Sequence, residues 1–162
     1  VLNSMLSRTF ILDYLYDNGY DALHITSKYG AIINGKKVGR EKFFDTLQTW
    51  GADNEKKFVI FHYSILSEGI NVTGLTHTIL LRNLPIIEMA QTIGRVIRVH
   101  SDDRKAVADG LIPSGAFHLY KKAFGVVTMP IGYRMGNVTQ ARLEQVVNNI
   151  FIEGIPPLAY CI

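Results

Sequence analysis

The sequence has few of the features that would directly assign it to a class of proteins. Only one of its 162 residues is cysteine, Cys161, so no disulfide can form within the chain and an intracellular protein is indicated. It has no apolar run long enough to span a membrane and no basic segment leading into an apolar one, which favours a cytoplasmic protein with no membrane partner. Basic residues outnumber acidic ones by only 17 to 14, which permits nucleic-acid binding without requiring it.

Motifs for several kinds of chemistry are missing as well. The sequence has no G-x-S-x-G elbow and no cysteine–histidine pairing, so it offers no candidate for the nucleophile of the common hydrolases. Its five histidines show no ligand spacing, and we expect no metal ion held by protein side chains alone. The adjacent carboxylates Asp102 and Asp103 are expected to form a solvated loop or a helix cap.

One stretch matches a phosphate-binding loop in part. Residues 30–36 fit G-x-x-x-x-G-K, but Lys37 stands where such a loop has the serine or threonine that binds Mg²⁺. The interior of the stretch, Ala-Ile-Ile, is typical of a strand, and Asn34 followed by Gly35 is a strong hairpin signal. The pattern therefore predicts a small β-hairpin with a basic tip, whose two lysines and Arg40 could contact a phosphate backbone.

The periodicity of the chain predicts a single α/β domain over residues 1–162. With 48% hydrophobic residues the chain can bury a core of its own. Strands are predicted at residues 22–26, 58–63 and 78–81, with helices between them, and we expect these strands to be parallel neighbours in one sheet. Because the chain begins with Val1 and not with methionine, we expect it to be part of a longer protein.

The last third of the chain gives weaker signals. Residues 115–120 and 124–130 are predicted to form two more strands. Thr139 is placed to cap a helix. The apolar residues of that helix are Leu143, Val146, Val147, Ile150 and Phe151.

The stretch QTIGRVIR at residues 91–98 organises the functional prediction. Wound as a helix, it places an amide, a bare patch of backbone and two guanidinium groups on one face. These residues are Gln91, Gly94, Arg95 and Arg98. The opposite face carries Met89, Ile93, Val96 and Ile97, as expected of a helix packed on a core. Arginine binds phosphate oxygens bidentately, so the polar face is typical of a phosphate clamp, although a solvated helix face with two surface arginines has the same pattern.

The spacing Q-x-x-G-R-x-x-R resembles motif VI of the superfamily 2 helicases and translocases. Upstream, the strand at residues 58–63 leads into SILSEGIN at residues 64–71, which is similar to motif V of the same proteins, and the strand at residues 78–81 follows. The resemblance covers residues 1–100 and is strongest in these motifs. It implies the second, C-terminal RecA-like domain carrying motifs IV, V and VI, an α/β three-layer fold whose mainly parallel sheet is covered by helices, with residues 101–162 as a family-specific C-terminal part.

The resemblance also implies two sets of site residues. On the nucleotide side, the catalytic residues would be Arg98, Arg95 and Gln91, with Gly69, Asn71 and Gly94 binding ATP. On the nucleic-acid side, the backbone would be bound by Asn3, Ser4, Ser27, Lys28, Tyr63 and Ser64. On the residues alone, capping and turning roles fit four of these residues equally well: Asn3, Ser4, Ser27 and Lys28.

In the resembled family, ATP and Mg²⁺ lie between two RecA-like domains. The first domain, of the same polypeptide, would supply the phosphate loop and acidic motif that this chain lacks, so we expect the isolated chain to be inactive. Arg98 would act as an arginine finger, and Glu88 would hold Arg95 when nucleotide is absent. The form of motif VI favours DNA over RNA as partner. The alternative is a catalytically idle nucleic-acid-binding or partner-docking module that keeps only the helicase fold; the intact motif VI counts against it.

Overall fold

The computed structural model of the chain describes residues 10–63, 72, 74–129 and 136–150. It shows a mixed α/β protein, as predicted. In chain order the elements are α1 (Phe10–Asp17), β1 (Asp21–Thr26), β2 (Gly30–Ile33), β3 (Lys36–Val38), α2 (Arg40–Ala52), β4 (Phe58–His62), β5 (His77–Ile79), α3 (Ile86–Val96), α4 (Ser101–Ala108), a 3-10 turn (Phe117–Leu119), β6 (Val126–Thr128) and α5 (Gly136–Ile150). The chain divides into two compact units, a first unit (Val1–Gly74) and a second unit (Leu75–Ile162).

The first unit contains a four-stranded sheet in the order β3-β2-β1-β4. Strands β1 and β4 are parallel neighbours, with Leu23 opposite Ile60, which confirms the predicted pairing of these two strands. The β1–β2 and β2–β3 pairings are antiparallel, so the sheet is mixed and the prediction of a mainly parallel sheet is wrong here. The reason is the hairpin, which returns the chain twice along one edge of the sheet and adds two antiparallel strands.

The β2–β3 hairpin has the turn that the sequence predicts. Asn34 and Gly35 both have positive φ, 46° and 76°, as two-residue hairpin turns of the primed type require. The Asn34 amide is also bonded to the start of β1, because its Nδ2 donates to Asp21 Oδ1 at 2.5 Å and its Oδ1 accepts from the Ala22 amide at 2.8 Å. One residue therefore sets the turn and joins it to the neighbouring strand.

Helix α2 packs its apolar residues into the core of the first unit. Phe43 and Leu47 are fully buried, as is Leu23 on β1. The end of α2 lies close to a later segment of the same unit, since a Cβ added at Gly51 would be 2.5 Å from Val72 Cγ1. Trp50 packs against Phe58, with ring centres 5.7 Å apart, which gives its side chain a packing role in this unit.

The second unit contains a two-stranded parallel sheet of β5 and β6. The prediction that the strand at residues 78–81 joins the other two in one sheet is wrong, because the described backbone of β5 pairs with Val126–Thr128 instead. The strand predicted at residues 124–130 is confirmed as β6. The strand predicted at residues 115–120 is wrong, because this stretch contains the 3-10 turn Phe117–Leu119. Gly115 has φ +84° and the Leu119 amide donates back to the Ala116 carbonyl at 2.9 Å, so the backbone is not extended there.

The core of the second unit lies between α3, α5 and the segment after β5. Its buried side chains are Leu80, Leu84, Met89, Ile93 and Val146. The predicted last helix is present and begins at Gly136, before Thr139. Arg142 fixes this helix to the approach to α3, since its Nη1 donates to Asn83 Oδ1 at 2.8 Å and to the Leu84 carbonyl at 3.0 Å. These contacts hold the helix that carries the candidate arginines.

Candidate functional site

Helix α3 carries most of the predicted nucleotide-facing residues. It begins after Pro85, whose carbonyl accepts the Met89 amide at 2.9 Å. The predicted apolar face is confirmed, because Met89, Ile93 and Val96 are at most 2% exposed. Ile97 packs partly against the same core. The helix is therefore anchored along one side, which fixes the direction of its other face.

The polar face has the predicted composition. Gln91 is exposed, Gly94 and Arg95 are half-buried, and Arg98 is exposed two residues beyond the end of the helix at Val96. Arg98 thus extends from the carboxyl end of α3 and not from its middle. Apart from its chain neighbours and the backbone of its own helix, no described heavy atom lies within 4 Å of the position that a Cβ on Gly94 would occupy, so the backbone there is open to close approach.

The two arginines share one electrostatic environment. Burial lowers the pKa of Arg95, and the positive charge of Arg98 lowers it further. Arginine stays protonated in proteins, so the effect is repulsion between two cations and not loss of charge. The carboxyl end of a helix favours positive charge, which offsets part of this repulsion. An anion beside both guanidinium groups would lower this repulsion further.

Glu88 lies one helical turn before Gln91, the first residue of the polar face. The structure pairs it with Arg82, whose Nη2 lies 2.8 Å from Glu88 Oε2. The backbone carbonyl of Glu88 accepts from Thr92 Oγ1 at 2.8 Å. Arg82 is therefore a partner of Glu88, and the contact of Glu88 with Arg95 stays a prediction.

The two carboxylates after α3 differ in environment. Asp102 is half-exposed and its Oδ2 lies 2.7 Å from Lys121 Nζ. Asp103 is 2% exposed and accepts the backbone amides of Lys121 and Lys122, at 2.8 Å and 3.0 Å. Both lie in the first turn of α4, next to the His100 cap, so the prediction of a helix terminus is confirmed and that of a solvated loop is wrong. Sequence reasoning missed Asp103 because adjacent acids are usually solvated.

A second candidate surface lies at one edge of the sheet in the first unit. Strands β1 and β4 are parallel with Ile25 opposite His62, so the residues that follow them share the carboxyl edge of the sheet. Those residues include the predicted Ser27, Lys28 and Tyr63, all exposed. In open α/β sheets this edge is where ligands bind. The structure therefore brings these three predicted nucleic-acid-binding residues to one edge.

Tyr29 belongs to the same edge, and the sequence prediction omitted it. Its side chain is 42% exposed and its ring centre lies 5.4 Å from Lys28 Nζ. Its amide donates to Thr26 Oγ1 at 3.1 Å, which fixes the turn after β1. The signal that could have found it is an aromatic residue beside a lysine directly after a buried strand.

Several predicted site residues lie outside the described residues. They are Asn3, Ser4, Ser64, Gly69 and Asn71. Among the residues that the structure does describe, no group of three or more His, Cys, Asp or Glu side chains is placed to hold a metal ion. The helices in the same ranges are all too short or too polar to cross a membrane.

Comparisons with protein-family models, with curated proteins and with solved structures find no match to this chain. Its function must therefore be argued from its own residues. The strongest of these are the four on the polar side of α3 and just beyond it, because their spacing and their placement on an anchored helix agree.

Proposed function

We propose that the chain is the second RecA-like domain of a superfamily 2 ATP-dependent helicase or translocase. It would act with a first RecA-like domain of the same polypeptide, on a nucleic acid that is DNA by preference. The observation that carries the proposal is α3 with the residues just beyond it. This amphipathic helix is buried on one side, its other side presents Gln91, an open Gly94 and Arg95, and Arg98 follows its end at the spacing of motif VI.

The residues present fit the terminal phosphates of ATP. Arg95 and Arg98 offer two planar cations whose repulsion an anion would relieve, and Gly94 leaves the backbone open beside them. The described residues offer no comparable cluster for Mg²⁺. The metal and the bulk of the nucleotide would therefore be held by the first domain, which makes this chain one half of the site.

In this site the chain contributes electrostatic stabilisation. Bound ATP with Mg²⁺ supplies the phosphoryl group that is transferred to water. Arg98, exposed at the helix end, stabilises the negative charge that develops on that group. Arg95, half-buried and close enough to be affected by the charge of Arg98, supports the same phosphate, and Gln91 orients it or relays its loss. Loss of the phosphate would release these contacts and let the two domains open.

The carboxyl edge of the first unit would bind the nucleic-acid backbone. Lys28 supplies positive charge there, and Ser27 and Tyr63 supply hydroxyl groups, which suits sequence-independent contact with phosphates. A domain that closes with ATP and opens after hydrolysis would shift this grip along a strand once per cycle. That coupling distinguishes a translocase from an idle binding module.

The proposal is tested by Arg98→Ala in the polypeptide that contains both domains. Turnover should fall by roughly 10³ or more, as for loss of an arginine finger, while ATP affinity changes only a few fold. Arg98→Lys should not restore turnover, because an ammonium group lacks the planar fork. The matched control is Arg104→Ala, which removes another exposed arginine of the second unit and should leave turnover unchanged.

The measurements are ATP turnover, nucleotide affinity and melting temperature on the same proteins. Wild-type turnover in Arg98→Ala would contradict the proposal. So would a loss that follows melting temperature and is largely restored by lysine, because that result would make Arg98 a structural residue of the helix end.

A further inference from the structure

Lys122 contacts the backbone of Arg98 from a distant part of the chain. Its Nζ donates to the Arg98 carbonyl at 2.7 Å, a bond between residues 24 positions apart. Lys122 is only 9% exposed, and lysine is seldom buried unless its ammonium group is paired. A hydrogen bond from a charged donor is also stronger than a neutral one. The contact therefore fixes the backbone at the residue that carries the proposed finger.

Asp103 in turn holds the segment that contains Lys122. Its two oxygens accept the backbone amides of Lys121 and Lys122, at 2.8 Å and 3.0 Å. Asp103 is 2% exposed, so water offers little competition for these bonds. The ammonium group of Lys122 is thus attached to a backbone that is itself held in place.

The same segment packs directly on the end of α3. A Cβ added at Gly125 would lie 2.5 Å from the Val96 carbonyl oxygen and 2.8 Å from Val96 Cγ1. On the other side of Arg98, His100 is 5% exposed and its Nδ1 accepts the Asp102 amide at 3.2 Å. Arg98 is therefore an exposed side chain on a backbone anchored before it, after it and at its own carbonyl.

We propose that Lys122 is a positioning residue for Arg98, which holds the Arg98 backbone so that the guanidinium group points in one direction. This inference rests on the proposed function, because it gives Lys122 a role through the arginine finger. A displacement of about 1 Å can lower a catalysed rate by roughly 10²-fold. Loss of the Lys122 contact should therefore reduce turnover strongly without removing the finger.

The test is Lys122→Met in the two-domain polypeptide. Methionine keeps the apolar stem and removes the donor. We expect kcat to fall by roughly 10- to 100-fold while KM for ATP changes less than about twofold. The matched control is Lys121→Met, which removes the adjacent lysine, half-exposed and paired with Asp102, and should leave kcat within about twofold.

A double variant separates positioning from stability. If Lys122 acts through Arg98, then Arg98→Ala with Lys122→Met should be no slower than Arg98→Ala alone. If Lys122 only stabilises the fold, the two losses should multiply and follow the melting temperature. Multiplying losses, or a Lys122→Met variant as fast as Lys121→Met while Arg98→Ala is slow, would overturn this inference and leave the proposed function standing.

Wild-type turnover in Arg98→Ala would instead contradict both the proposed function and this inference. If Lys122→Met does not fold, Lys122→Gln replaces it, because it keeps a polar end that is too short to reach the Arg98 carbonyl. The same fall in kcat and the same lack of a further loss beside Arg98→Ala are expected, and multiplying losses would again overturn the inference.

Discussion

The two units hold their candidate residues in different ways. In the first unit, Ser27 and Lys28 directly follow the strand that places them, and the hairpin is set by Asn34 and Gly35 within the turn itself. In the second unit, the backbone of Arg98 depends on Lys122, which comes 24 residues later. In the proposed function, Ser27 and Lys28 would thus be placed by the strand just before them, whereas the backbone of the proposed finger also contacts a residue distant in the chain.

This difference explains what the sequence could predict. Turn chemistry predicted the hairpin and helical periodicity predicted the buried face of α3, because each follows from residues close together in the chain. The β1–β4 pair joins residues far apart in the chain, and it was predicted because apolar runs of this length are typical of buried parallel strands. The partner of β5 was mispredicted, because a three-residue strand has too little pattern to specify its neighbour. Asp103 and Lys122 were missed because burial of a charged side chain depends on contacts 18 to 24 residues away.

The largest expected effect on stability tests the distant support directly. Asp103→Ala should leave two backbone amides of the second unit unsatisfied, at about 1–3 kcal/mol each. The free energy of unfolding of the second unit should fall by about 2–5 kcal/mol, while that of the first unit stays unchanged. Hydrogen exchange across a urea series, measured for each unit, would show this.

The control for that prediction is Asp102→Ala, which removes the solvent-exposed partner of Lys121 and should have a much smaller effect on stability. Equal effects of the two alanine variants would mean that burial of Asp103 contributes nothing special. An equal loss in both units would remove the contrast between them.

A smaller effect is expected at the strand edge. The chain should bind single strands weakly and without sequence preference, with affinity that falls steeply as salt rises. Lys28→Ala should lower the affinity about 3- to 10-fold and reduce the salt slope by about 1. The matched control is Lys57→Ala, an exposed lysine that precedes β4 and so lies at the opposite edge of the sheet.

Fluorescence titration of a labelled oligonucleotide at several salt concentrations measures both quantities. Equal losses in Lys28→Ala and Lys57→Ala would show diffuse attraction and not a binding edge. An affinity that stays the same between low and physiological salt concentration would contradict contact with phosphates.

The smallest effect concerns acid, and it tests a partly exposed ion pair of the first unit. The hydrogen bond with Lys56 lowers the pKa of Asp21, burial opposes it, and the Asn34 amide and the Lys56 charge lower it further. A carboxyl whose pKa is lower in the folded state stabilises that state above its unfolded pKa, and the contribution is lost as pH falls through the folded value. Asp21→Asn should therefore destabilise the first unit at neutral pH, by about 1 kcal/mol or less for a partly exposed pair. The difference from wild type should shrink from about pH 5 downward, as the wild-type carboxyl gains its proton.

Urea unfolding of the first unit across this pH range, beside the exposed control Asp45→Asn, gives the comparison. A deficit that is independent of pH would assign the effect to packing at the hairpin turn. A deficit as large as that of Asp103→Ala would mean that this partly exposed pair stabilises the first unit as much as the buried Asp103 stabilises the second.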